Sequence, residues 1–175
     1  MSQRRVLVAG VGNIFLGDDG FGCEVARRLA GRGLPEAVRV VDFGIRGFDL
    51  AYALLDDYEL AILVDAAPRG GVPGTLYVIE PDLGELDEPA GRDVLMETHG
   101  MNPLRVLGLV KAMGGKPKRI VVVGCEPATV GPEEGAWGLS GPVRAAVGEA
   151  VTIVESLIAQ TLSPGAGEPR VGSTA

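Results

Sequence analysis

GVGNIFLGDDGFG, from Gly10 to Gly22, joins an apolar run (Val6 to Ala9) to an amphipathic segment (Phe21 to Leu29). It reads as a strand, a glycine loop, an acidic pair and a helix. Gly10 and Gly12 let the backbone take positive φ or approach a neighbour closely where the strand ends, and Asn13 tolerates the same left-handed region. A carboxylate at the start of the helix is favoured by the helix dipole and by the free N–H groups of the first turn. One cap suffices, so capping is assigned to Asp18 and outward, ligand-like work to Asp19. Two turn-and-cap aspartates without chemistry are the commoner meaning of an isolated Asp-Asp pair. The rest of the chain argues against that here.

Beyond the first helix, Gly31 and Gly33 stop the pattern, and Val38 to Asp42 is a short β-branched strand that runs into DFGIRG (Asp42 to Gly47). Phe48 to Leu55 has helical spacing. Leu60 to Val64 is an unbroken apolar run of the kind a central parallel strand needs, and Asp65 closes it. Residues 74–80 form a further strand, reached across a loop too short for a crossover helix, which makes it antiparallel. Asp82 to Thr98 shows no period and reads as a mobile surface loop. It leads into THGMNP (Thr98 to Pro103), where Asn102 caps and Pro103 starts a helix to about Met113. Arg119 to Gly124 is the last strand. The final helix begins at Ser140 to Pro142 and carries a stripe of Val143, Val147, Val151, Val154 and Leu157.

The expected architecture is a three-layer α/β/α domain over residues 1–162, with a five-stranded, mainly parallel sheet, one antiparallel strand and helices on both faces. Residues 163–175, rich in Gly, Pro, Ser and Ala, read as a disordered tail. A chain of 175 residues with 46% hydrophobic content supports one core of this size. The formal charge of −7, with 16 Lys plus Arg, argues against a nucleic-acid surface and suits a cationic or metal-bearing partner. Cys23 and Cys125 are far apart and outside any paired motif, so neither a disulfide framework nor a zinc cluster is indicated, and a reducing cytosol is the expected home. The apolar run after the basic N-terminus is too short and too broken for a signal peptide or a membrane span.

In an open parallel sheet the ligand site lies beyond the carboxyl ends of the strands. That rule gathers Asp18 and Asp19 after the first strand, Asp42 after the second, Asp65 after the third and Glu126 after the last, so at least four carboxylates are expected on one edge. Like charges so close raise one another's pKa, and a metal or a cationic ligand resolves the conflict. His99 precedes a helix that can bring it to the same edge. Asp19, Asp65 and His99 form an oxygen-rich set that suits a first-row divalent metal with coordination positions left open. A nucleophile paired with an imidazole base cannot be assembled from this chain. A dinucleotide site fails too, because Phe15 stands where the fingerprint needs its third glycine and the acidic pair lies where a pyrophosphate would sit.

Taken in order, GVGNIFLGDDGFG, VDFGIRG, LAILVDAAP, THG and GCEP followed by WGLS resemble the NiFe-hydrogenase maturation endopeptidases, over nearly the whole chain to about residue 160. The resemblance implies a cytosolic, monomeric enzyme that removes the C-terminal peptide of the hydrogenase large-subunit precursor after nickel insertion. The nickel would come with the substrate, and zinc or cadmium would be able to substitute. The family's metal-contacting acid falls on Asp19, where some members carry glutamate; its strand-end aspartate falls on Asp65 and its histidine on His99. The Asp42 motif, with Gly44 and Gly47, resembles its substrate-recognition segment. A nickel-dependent binding or assembly chaperone for the same precursor is the alternative built on the same constellation.

Overall fold

Runs of alternating or continuous Val, Ile, Leu and Ala set the strands, and glycines or acidic residues stand at the ends where the chain leaves the sheet. In the computed structural model, which describes residues 3–85, 102–128 and 138–163, the strands are β1 (Val6–Val11), β2 (Val38–Gly44), β3 (Leu60–Ala66), β4 (Leu76–Ile79) and β5 (Ile120–Cys125). They form one sheet in the order β2-β1-β3-β5-β4, parallel except for β4, which runs antiparallel to β5 at the edge. The described helices are α1 (Phe21–Ala30), α2 (Gly47–Ala53), α3 (Pro103–Ala112) and α4 (Gly141–Leu162), and a short 3-10 turn (Gly17–Gly20) leads into α1.

Side chains alternate across each strand, so the sheet has two apolar faces. Val6, Val8, Leu60, Ile62, Val64, Val121 and Val123 face Phe21, Val25 and Leu29 of α1 and the α4 stripe Val143, Val147, Val151 and Val154. Leu7, Ala9, Val11, Ala61, Leu63 and Ile120 face Leu50 of α2 and Val106, Leu107 and Val110 of α3. This is the expected three-layer arrangement. The α4 stripe ends on Ile158 rather than Leu157, which is only partly buried. Helix α4 is long and apolar enough to cross a membrane by length and composition. Its buried stripe packs on the sheet, however, and Arg144, Glu149, Thr152, Ser156 and Gln160 line its exposed face. Asn102 caps α3 through a bond from the Leu104 N–H to its Oδ1 (3.0 Å), with Pro103 in the first helical turn.

From β1 the chain crosses to β2 on one side, and from β2 it returns past β1 to β3 on the other. The junction between β1 and β3 is therefore the topological switch point, beyond whose carboxyl ends a crevice must open. The glycine loop leaves the sheet there, beside Asp65. His99, residues 86–98 of the expected surface loop, and the tail beyond Ser163 lie outside the described residues.

Candidate active site

The glycine loop is pressed into the crevice by backbone rather than by side chains. Gly12 has φ of +136°, which L side chains rarely adopt, and a Cβ on it would collide with the Asp19 carbonyl oxygen. Its N–H donates to the Gly44 carbonyl (2.9 Å), where the β1–β2 register shifts between Gly10 and Val11. The chain then closes a small box. Asn13 N–H donates to Asp19 Oδ2 (2.7 Å), Leu16 N–H to the Asn13 carbonyl (3.1 Å) and Asp19 N–H to the Leu16 carbonyl (3.2 Å). Asp19 is thereby turned back towards the strand ends and remains partly exposed.

Asp65 stands across Gly12 from it. A Cβ on Gly12 would lie 3.6 Å from Asp65 Oδ1, and the Asp65 residue is only 8% exposed. Burial, and after it the charge of Asp19, push the Asp65 carboxyl well above the ordinary aspartate range, against a weaker opposite pull from the Ala66 N–H. Burial also raises Asp19, with the Asn13 N–H working the other way. Two carboxylates are thus held together at a cost, an arrangement that a cation relieves. Among the described residues no set of three His, Cys, Asp or Glu side chains is placed to hold a metal ion, and His99 is outside them.

Two expected members of the acidic edge are committed elsewhere. Asp18 does not cap α1: the residue before α1 is Gly20, and neither the 3-10 turn nor α1 has a side-chain cap. Asp18 is fully buried, and its carboxylate accepts from Ala128 N–H (2.8 Å), Ser140 N–H (2.7 Å) and Ser140 Oγ (2.8 Å). It thus serves the start of α4, where Ser140 has no side-chain cap bond of its own. Glu126, 5% exposed, accepts from Arg69 N–H (2.8 Å), Gly70 N–H (3.0 Å) and the Tyr77 hydroxyl (2.9 Å). Burial would raise its carboxyl, but these donors and Gly71 outweigh burial and hold it below the ordinary glutamate value. The acidic edge therefore reduces to Asp19 and Asp65, with Asp42 nearby.

Asp42 and Gly44 line a cleft of about 340 Å³ together with Gly12, Asn13, Cys23 and Arg46, and Ile14, Phe15 and Ile45 form its apolar lip. Asp42 is exposed and turns its carboxylate to the Gly44 N–H (3.0 Å). Gly47 begins α2 just beyond it. The Arg46 guanidinium bonds the Asp42 carbonyl (2.7 Å) and the Phe43 carbonyl (3.2 Å) and pairs with Asp49 (3.3 Å). At the floor, Cys23 is buried and its thiol donates to the Gly12 carbonyl (3.4 Å). Burial first, then the Asp42 hydrogen bond and the charges of Asp42, Asp19 and Asp65, push the thiol far up, which disfavours the thiolate.

The hydrogenase maturation protease family model (HycI) matches residues 23–157. The chain belongs to that family. It is 34% identical to the hydrogenase expression/formation protein HupD of Rhodobacter capsulatus over 84% of this chain and 70% of that protein. Among solved structures, a hydrogenase 2 maturation peptidase from a Thaumarchaeota archaeon is 35% identical, with a TM-score of 0.66 over 91% of this chain and 100% of that one. The hydrogenase maturating endopeptidase HybD of Escherichia coli is 27% identical, with a TM-score of 0.68 over 88% and 91% of the two chains. The fold is that of the hydrogenase maturation proteases, and the chain is a member of a peptidase family.

In this family member, the sequence assigns no role at the site to Cys23, Arg46 or the lip residues Ile14, Phe15 and Ile45. Cys23 carried no signal, since an isolated cysteine at the start of a helix has no motif. The lip did carry one. Ile14 and Phe15 are large apolar residues inside a glycine turn, where burial is hard to arrange, and they are 55% and 66% exposed.

Proposed function

We propose that this chain is an endopeptidase that removes the C-terminal peptide of a NiFe-hydrogenase large-subunit precursor after nickel insertion, recognising the nickel that the precursor carries. The observation that carries the reading is the pair Asp19 and Asp65, held at the switch-point crevice with Asp65 pushed towards its neutral form by burial and by Asp19. The positive charge of a substrate-borne metal lets both carboxylates ionise together, so the crevice binds the loaded precursor better than the empty one. Asp19, Asp65 and His99 are the proposed ligands and catalytic residues, and Asp42, Gly44 and Gly47 bind the chain of the precursor. Hydrolysis adds water across one peptide bond and leaves a shortened large subunit and a free peptide. Zinc or cadmium would occupy the same oxygen-rich set in place of nickel. The proposed setting is the cytoplasm, with the protein acting as a monomer.

Intact-mass analysis after mixing purified protein with nickel-loaded precursor tests this reading. A large subunit shortened by the mass of its C-terminal peptide is expected. An unchanged precursor, with bound nickel shown to be present, replaces the protease by a nickel-dependent assembly chaperone.

A further inference from the structure

We propose that Asp18 is a positioning residue: its buried carboxylate clamps both ends of the connection between β5 and α4 to the turn that carries Asp19, and so holds Asp19 in register with Asp65. Asp18 and Asp19 are adjacent in one short 3-10 turn, but Asp18 is buried and Asp19 is partly exposed. Asp19 bonds back to Asn13 in the glycine loop, whereas Asp18 reaches Ala128 and Ser140, which are 110 and 122 residues away in sequence. Ala128 follows β5 and Ser140 precedes α4, so one carboxylate gathers the chain leaving the sheet and the chain entering the last core helix.

The start of α1, directly after the turn, is equally constrained. A Cβ on Gly22 would collide with the Val64 and Val11 carbonyls, so the segment has no room to settle deeper against the strand ends. The turn is thus seated between the Ala128 and Ser140 donors and a helix start fixed on the strand ends. The Asp19 carboxylate is presented from that seat. Release of the clamp frees the turn to rock, and the Asn13–Asp19 bond reports this directly.

Amide hydrogen exchange by proton–nitrogen correlation NMR on the full chain tests the clamp, with precursor cleavage as a second readout. Asp18→Asn keeps the shape but turns an NH₂ group towards donors; Ser140→Ala keeps the charge and removes only the hydroxyl donor. With Asp18→Asn, exchange should quicken about 10-fold at Asn13 as well as at Ala128 and Ser140, and kcat/KM should fall about 10- to 100-fold, as for other residues that orient a ligand. Ser140→Ala should move both in the same direction by less. Quickened exchange confined to Ala128 and Ser140 overturns the proposal and leaves Asp18 an anchor of the connection alone. If Asp18→Asn does not fold, Ser140→Ala decides by the same Asn13 signal. The kinetic half rests on the proteolytic reading and the exchange half does not. A wild type that fails to cut the precursor therefore sinks that reading, while Asn13 exchange still judges the clamp.

Discussion

At Asp65 the fold holds a nearly buried carboxyl beside a second carboxylate, and both burial and Asp19 favour its protonated form. The folded chain therefore keeps this proton to a higher pH than the unfolded chain does. Between the ordinary aspartate value of 3.8 and the raised one, the native state binds more protons, so its stability falls as pH rises through that window. Asp65→Asn cannot ionise and escapes the loss. It is expected to raise the Tm of the metal-free protein at pH 7, with the gain shrinking as pH falls towards the ordinary value, as thermal scans across pH would show. A gain that persists undiminished in acid contradicts the assigned cause. Sequence was enough to place Asp65 at the end of a strand and Asp19 in the turn that follows the first one, since apolar runs mark both strands. It could not tell Asp18 from Asp19 by role. The partners that decide the matter, Ala128 and Ser140, are more than a hundred residues away, and local capping rules do not see them.

Among the elements, the junction of β1 and α1 is the tightest. Helix α1 begins against the ends of β1 and β3 because Gly22 has no side chain, and Val64 and Val11 carbonyls stand where a Cβ would go. These are backbone atoms of central strands and cannot yield as a side-chain tip can. Gly22→Ala is expected to cost about 3 kcal/mol, the upper range for overpacking in a dense interior, measured as a lowered urea midpoint with unchanged slope. A loss below about 0.5 kcal/mol, the size of an ordinary surface substitution, would mean that the helix slides freely on the sheet. The strands were legible because a parallel strand buried on both faces must be continuously apolar, as Leu60 to Val64 is. Glu126 was misread for a related reason. It too follows such a run, but the donors that claim it lie on the β3–β4 connection and on Tyr77 of the neighbouring antiparallel strand.

For the whole molecule, charge and topology point to the same edge. The chain carries a formal charge of −7, and its switch point carries Asp19 and Asp65 beside a cleft that Asp42 and Arg46 line and that has an apolar lip. With few protein ligands and open positions, the isolated protein is expected to hold nickel weakly, the remaining ligands coming from the precursor. Elemental analysis of purified protein should find well under one nickel per chain, and a tightly held stoichiometric zinc would point instead to a resident ion activating water. The most direct measurement of the central claim is intact-mass analysis of nickel-loaded precursor mixed with wild type, with Asp19→Asn and with Asp65→Asn, each variant first shown to be folded. Wild type should release the C-terminal peptide, with each variant slowed at least about 100-fold, on the order of 3 kcal/mol in transition-state stabilisation. Cleavage at the wild-type rate by either folded variant contradicts the account.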